Sequence, residues 1–474
     1  MTISGPSVLD MHFTRRLLDR YSSAGLVFVL GWAATGAAVA CASDDGDEGA
    51  AQEDGGTDAP TPRDDAGAYD AEVPDAPPSR DAAWFDGGPR PVVCDASSSC
   101  ATSLVTTLGA NATDRGEGFC ALLDDGTAAC WGANRGGQLG RGDDAGALDS
   151  AIPARVVGVS NATQLDHTCA RDASGGVSCW GTGPFLRNDA GVETTERTAV
   201  QLPLPPVRRV AVGAEVACAV VDDGVLCWGR NTNGQLAAPE VIPLSAALLP
   251  RRIDLPSGAS VRDVVVGRAA FVLRDDGVTV SWGANPPLAR VSSLFPDPNP
   301  VPIALRGISS LDVTSDSACA TAGGTAYCWG AMIPKTGEAI NANTPRIDRA
   351  LPAPVVTPEP VVQIAATRTL TSTELGETII EPQRWCAVGA SGAVYCWGHN
   401  TSGQAGDGTK QYAFEAVAVR GLPGPAAQVK ATPSATCALL TSGKVYCWGA
   451  NFYGQLGNGK FKVPSLVPQE VVLP

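Results

Sequence analysis

An all-β fold, a seven-bladed β-propeller with four-stranded blades, is predicted by three observations. The first is repetition: a Trp-Gly step recurs at Trp131, Trp180, Trp228, Trp282, Trp329, Trp397 and Trp448, with intervals of 49, 48, 54, 47, 68 and 51 residues. A period near fifty, with several short apolar strands per unit, is the sequence mark of a propeller blade. The second is composition, since 54 glycines and 36 prolines with only 6% aromatic residues suit many short strands joined by turns. The third is the cysteines, twelve of which stand in pairs on the two arms of hairpins that lead into the Trp-Gly step.

The chain opens with a leader. Arg15, Arg16 and Arg20 precede an apolar run from Ala24 to Ala40, too short for a membrane-spanning helix and suited to the h-region of an export signal. Residues 1–40 are therefore expected to be a signal peptide, with Met1 or Met11 as the start. The run ends Ala38-Val39-Ala40-Cys41, which is similar to a bacterial lipobox with Ala38 where Leu is usual, and makes Cys41 the candidate lipidation site. The same residues satisfy a small-x-small site for ordinary secretion. Parity favours the anchor, because setting Cys41 aside leaves an even number of the 15 cysteines for an oxidising compartment.

Residues 41–93 are expected to form a disordered tether rich in Asp, Ala, Gly and Pro. Between Ala42 and Arg90 stand fourteen acidic residues and three arginines, most of the chain's net charge of −15. Such a stretch is too polar and self-repelling to bury a core and extends behind an anchor. What remains is mildly acidic, which argues against nucleic-acid binding.

Residues 94–474 are assigned to the propeller. Within each unit, segments such as Val210–Gly213 and Ile152–Val157 supply two strands and the cysteine hairpin supplies the other two. The cysteine spacing follows the loop length. It is ten for Cys120 and Cys130, Cys169 and Cys179, Cys386 and Cys396, and Cys437 and Cys447. It is nine for Cys218 and Cys227 and for Cys319 and Cys328, whose loops are one residue shorter. In either case the partners fall opposite each other across antiparallel strands, within bridging distance. In the fourth copy Phe271 and Ser281 replace both together, as paired bridges predict. Metal binding is the rival, yet there is no CxxC and the chain has only 3 histidines. Cys94 and Cys100 are the candidates for a seventh pair.

The tryptophan is read as the wedge between neighbouring blades, the following glycine as a point of close backbone approach, and the Asn and Gln of the next turn as partners for backbone groups. The chain begins at the inner-strand stage, with Val105–Leu108, and stops before it, at Val467–Val472. The C-terminal strand is therefore expected to complete the blade that the N-terminal strands begin.

The last copy, Tyr446-Cys447-Trp448-Gly449 and Asn451-Phe452-Tyr453-Gly454-Gln455-Leu456-Gly457, resembles the repeat of the regulator of chromosome condensation family. Trp131-Gly132-Ala133-Asn134 with Gly137-Gln138-Leu139-Gly140, and His167-Thr168 of the second copy, match the same pattern. Copies two, four and five depart from it, at Gly181–Pro184, Gly283–Pro286 and Gly330–Met332, where differently shaped loops are expected. The family includes a eukaryotic nucleotide-exchange factor, which the leader makes implausible here, and a secreted bacterial inhibitor of β-lactamases.

No catalytic constellation is visible, and no cofactor or metal site is assigned. His12 lies in the leader, His167 sits beside the hairpin cysteine Cys169, where a structural role is expected, and His399 follows Trp397-Gly398 at a turn position. The Asp-Asp-Gly loops at Asp124, Asp222 and Asp275 have turn chemistry as a full account. The 68-residue interval contains an insertion, Thr367–Pro382, placed where loops of a propeller project from one face, and is read either as a binding loop or as a drifted surface hairpin. The expected function is a non-catalytic scaffold, monomeric and lipid-anchored outside the cytoplasm in a bacterial cell envelope, binding a protein or other envelope ligand. The alternatives are a secreted form, a propeller enzyme of lyase or hydrolase type, and a secreted enzyme inhibitor.

Overall fold

A computed structural model describes residues 87–94, 99–109, 116–332, 347–374 and 377–474. The signal peptide, Cys41 and nearly all of the tether lie outside the described residues. Seven four-stranded antiparallel sheets form a seven-bladed β-propeller, each sheet built from four strands in sequence order. A further two-stranded sheet interrupts the sixth blade.

The inner strands are Ala101–Thr106, Ala162–Asp166, Arg209–Val212, Val261–Val266, Ile308–Val313, Val361–Ala366 and Ala426–Ala431. Each lies beside the inner strands of its two neighbours, so the seven surround the axis. The outer strands are Ser150–Arg155, Thr194–Gln201, Ala247–Arg252, Asp297–Pro302, Ile347–Val355, Ala413–Ala418 and Ser465–Glu470. Between them run the hairpins, as in Ala435–Leu440 and Val445–Gly449 of the last blade. Their strands are buried on both faces because each is flanked by two others of its sheet and by two adjacent blades, which is why they read as nearly continuous apolar runs.

The paired cysteines face each other in register across every hairpin that has them. Cys120 stands opposite Cys130, Cys169 opposite Cys179, and Cys218 opposite Cys227. Cys319 stands opposite Cys328, Cys386 opposite Cys396, and Cys437 opposite Cys447. Each of these six pairs forms a disulfide with Cα atoms 4.1 Å apart, the close spacing of directly opposed residues. These six pairs are the ones the cysteine spacing predicts. Cys94 and Cys100 form the seventh bridge. In the fourth blade Phe271 stands opposite Ser281. There the Phe271 ring meets Trp329 edge-on with centroids 6.2 Å apart, so packing occupies the place of the bridge.

The tryptophans fill the seams between blades. Trp180 of blade 2 packs among Leu122, Leu139 and Leu165, and Trp448 of blade 7 among Val388, Val394 and Val429. The indole also ties two blades by donating Nε1–H to a backbone carbonyl of the preceding blade: Trp180 to Gln138 at 3.0 Å, Trp282 to Gln235 at 2.8 Å and Trp448 to Gln404 at 2.9 Å. In copies two and four the loop differs but the bond survives, from Trp228 to Pro184 O and from Trp329 to Pro287 O, both 2.6 Å. The glycine after the tryptophan has a strict reason. Gly449 has φ 105° at a β-bulge, and a Cβ there would lie 2.5 Å from Ser434 O.

Ring closure differs from the sequence expectation. The C-terminal strand Ser465–Glu470 pairs with Val445–Gly449 of its own blade and completes nothing in blade 1. The reason lies in strand supply: blade 1 already owns an outer strand, Ser150–Arg155, and blade 7 an inner one, Ala426–Ala431, so neither sheet has a vacancy. Side chains close the ring instead. Trp131 donates Nε1–H to Gln455 O at 3.0 Å, Leu104 N–H bonds Gln428 Oε1 at 2.9 Å, and Leu104, Phe119 and Trp131 share one core with Leu439, Leu456 and Val471.

Candidate interaction face

Because each blade runs inner strand, hairpin, outer strand, its connections fall alternately on two faces. The tight hairpin turns and the links from blade to blade share one, here the turn face. The connections from inner to second strand and from third to outer strand share the other, the loop face.

The insertion and the altered loops of copies two and four lie on the loop face, whereas the hairpin turns on the other face differ by one residue at most. The insertion folds as a β-hairpin, Leu370–Glu374 paired with Glu377–Glu381, with Thr371 opposite Ile380 and Ser372 opposite Ile379. Its base is fixed, since Thr367 N–H bonds Arg384 O at 2.9 Å and Arg384 N–H bonds Thr367 Oγ1 at 2.8 Å. Gln383 Nε2 reaches across to Ala331 O of blade 5 at 2.9 Å. The connections in which copies two and four depart, after Gly183 and Gly283, emerge on this same face; that of copy five continues into 333–346, outside the described residues.

The regular loops are held from inside by two amides. Asn451 Oδ1 accepts Leu456 N–H at 3.1 Å and Asn400 Oδ1 accepts Ala405 N–H at 2.7 Å. Gln455 Oε1 and Gln404 Oε1 accept Tyr453 N–H at 2.9 Å and Ser402 N–H at 2.7 Å. Asn451, Gln455, Asn400 and Gln404 are all buried, so what each loop offers to solvent is the side chains around them. Leu148, Val241, Val291, Phe295, Phe452 and Phe461 stand exposed on these loops.

The chain enters the ring from the opposite face. Residues 87–93, expected to be the end of the disordered tether, instead lie against the turns of blades 6 and 7: Arg90 Nε donates to Ala390 O at 3.1 Å and Val93 N–H to Thr441 O at 2.8 Å. Ala101 N–H then bonds Gly443 O at 2.9 Å, and Ser99 Oγ bonds Pro474 O at 2.6 Å.

The two histidines are not brought together. His167 Nδ1 lies 2.9 Å from Thr106 O and links blade 2 to blade 1, whereas His399 Nε2 lies 2.9 Å from Thr401 Oγ1 in blade 6. Among the described residues no group of three or more His, Cys, Asp and Glu side chains is placed to hold a metal ion. Sequence reasoning missed the polar lining of the axis. Gln164 grips Val210 of the next inner strand, Nε2 to O at 2.9 Å, and Gln363 grips Val429 from both sides, at 3.1 and 2.8 Å. The available signal was a glutamine at the third residue of three inner strands. Asp263 lines the same axis, and burial raises its pKa against the opposing pull of Val264 N–H and of Arg209.

The profile of the regulator of chromosome condensation repeat matches residues 207–271 and 426–474 through two overlapping forms. The ultraviolet-B receptor UVR8 of Arabidopsis thaliana is 32% identical over 179 residues, covering 34% of this chain and 38% of the receptor. The E3 ubiquitin-protein ligase HERC2 of Mus musculus is 26% identical over 357 residues, covering 70% of this chain but 7% of the ligase. The match thus spans well under half the length of either relative. Among solved structures, Prp20p of Saccharomyces cerevisiae superposes with TM-score 0.57 at 18% identity, over 72% of this chain and 85% of that one. Human WBSCR16 superposes with TM-score 0.55 at 18% identity, over 73% and 95%. The chain therefore carries repeats of the regulator of chromosome condensation type, and they build the ring fold seen in those two proteins.

Proposed function

We propose that this chain is a non-catalytic extracytoplasmic scaffold of the bacterial cell envelope, anchored through Cys41, that binds a protein partner on its loop face. The carrying observation is the segregation of the two faces. The inserted hairpin and the altered loops of blades 2 and 4 share one face, while the chain enters along the other at Arg90 and Val93. Loops on a rigid ring are where recognition residues accumulate without cost to the core. A protein partner fits the architecture in general terms: Prp20p, which shares the fold, binds Gsp1p and histones. The leader and acidic tract support export and a tether, because a segment of that charge keeps a folded ring clear of a membrane surface.

The test uses the full chain in a bacterial envelope. Photo-crosslinkers at Thr371 and Phe452 on the loop face, and at Asp222 and Ser391 on the turn face, are compared in the parent and in a variant with Leu370–Glu381 replaced by a short Gly-Ser turn. Adducts to one protein from the loop face alone, diminished by the replacement, are expected. Adducts from the turn face alone overturn the assignment. Cys41→Ser is expected to release the chain from the membrane fraction, and unchanged partitioning overturns the anchor.

A further inference from the structure

Blades 6 and 7 gather unpaired cations on one stretch of the loop face. Elsewhere on that face Arg135 and Arg268 are single exposed cations in separate blades with no ion pair among the described residues, and four others are matched: Arg230 with Glu193 at 2.8 Å, Arg290 with Asp297 at 2.6 Å, Arg187 with Glu196 at 3.7 Å and Arg197 with Asp143 at 3.8 Å. Lys410, Lys460 and Lys462 enter no ion pair among the described residues, and all three are exposed. From Ala450 to Gln469 the sequence has no acidic residue. The one carboxylate in the facing loop of blade 6, Asp407, is occupied by Thr409, whose hydroxyl lies 3.0 and 2.8 Å from its two oxygens.

Lys410 and Lys462 border a groove between the two loops, lined also by Thr401, Ser402, Phe452 and Pro464. Both walls are fixed from beneath. Asn451 O accepts Lys462 N–H at 2.6 Å and Asn451 Nδ2 donates to Lys460 O at 2.8 Å. Asn400 Nδ2 donates to Gln411 O at 2.9 Å, and Gly408 N–H crosses to Leu466 O of blade 7 at 3.3 Å. A groove held in place by its own buried amides loses little freedom when it is filled. Its lip is apolar as well as basic, with Phe452 65%, Phe461 46% and Val463 53% exposed.

We propose that this groove between the blade 6 and blade 7 loops docks an acidic polypeptide segment of a partner protein, one that interleaves carboxylates with apolar side chains. The charge sets the sign of the occupant, and the aromatic lip calls for apolar groups beside that charge. The lysines carry separate point charges on long stems, which suits carboxylates spread along a chain better than one phosphate gripped from several sides. The proposal rests on the loop face being the binding face.

The probe is a fluorescein-labelled peptide of alternating Glu and Leu, with the Gln-Leu peptide as its neutral counterpart, titrated with the full chain and read by anisotropy. Binding is expected for the acidic peptide only, and is expected to be lost between about 0.05 and 0.5 M salt as the Debye length shrinks. Lys410→Glu/Lys462→Glu is expected to weaken it by about tenfold or more, since facing like charges repel. Phe452→Ser should weaken it at any salt, and Lys444→Glu on the turn face should leave it unchanged. Equal binding by the two peptides, or unchanged binding by the double reversal, overturns the groove. So does preferential binding of inorganic polyphosphate or of phosphatidylglycerol vesicles, which would make the occupant a phosphate anion or a lipid surface. If the double reversal is silent while the hairpin replacement still abolishes cross-linking, the groove fails and the scaffold reading stands.

Discussion

Where the outer strand of blade 4 begins, Asp297 gathers the donors of an entire loop. Arg290 Nη1 lies 2.6 Å from its Oδ2 and Ser292 Oγ 2.7 Å, while Asn299 N–H and Nδ2 both lie 3.0 Å from Oδ1. Burial acts to raise its pKa, but the hydrogen bonds from Arg290, Ser292 and Asn299 outweigh it and hold the carboxyl below the ordinary value. A carboxylate depressed in the folded state contributes stability that is present above its unfolded pKa, about 3.9, and is lost as pH falls through the folded value. Asp297→Asn is expected to cost about 2 kcal/mol near neutral pH, the scale of charge-assisted hydrogen bonds. In urea melts the gap to the parent should close as pH is lowered below about 4. A gap that persists at acid pH would assign the loss to packing rather than charge.

The stapled hairpin is the unit in which the ring keeps its register. Each bridge closes a loop of about ten residues, worth about 2 to 3 kcal/mol on the chain-entropy model. Cys437→Ala/Cys447→Ala is expected to cost that amount, with the damage confined to its blade. Amide exchange should quicken across Ala435–Gly449 and stay unchanged across Ala269–Gly283, where Phe271 and Trp329 already replace a bridge by packing. Equal acceleration in both stretches would show that the staples act on the whole ring. This element was legible in the sequence, because cysteine spacing, loop length and the joint change at Phe271 and Ser281 are all local quantities. The seven blades and the tryptophan wedges were legible for the same reason. Closure was not: the phase of the chain ends is compatible with strand exchange or with complete blades, and only pairing partners distinguish them. The gathering of the insertion and the altered loops of blades 2 and 4 on one face follows from topology. The grip of Gln363 on Val429 joins residues 66 apart, beyond any local pattern.

With no strand exchanged between the first and last blades, the ring depends on what spans that seam, and its most polar device draws on three blades. Glu117 of blade 1 is buried; its carboxylate takes the Thr432 hydroxyl and, at 3.0 Å, the Ser434 N–H of blade 7. Arg384 of blade 6 is fully buried and donates from Nη2 to Thr432 O and Ala435 O, both at 2.8 Å. Burial pushes the Arg384 pKa down to about 9 while the charge of Glu117 pulls it up, so the guanidinium remains charged at neutral pH. Among the described residues Arg384 Nε and Nη1 have no hydrogen-bond partner, and Glu117 is the charge that compensates the guanidinium. Removing one member of a buried charge pair strands the other, at a typical cost of about 3 to 5 kcal/mol. Glu117→Gln is therefore expected to destabilise the ring by about 3 kcal/mol in urea. Its amide exchange should quicken first in Ala101–Thr106 and Ala426–Ala431, the inner strands at the seam, and last in Arg209–Val212 on the far side. Arg384→Met removes the stranded charge, so Glu117→Gln/Arg384→Met should lose less than the sum of the single changes. If instead Glu117→Gln costs under about 1 kcal/mol, or loosens all seven blades alike, the core shared by Trp131 and Leu439 closes the ring without help from the charges.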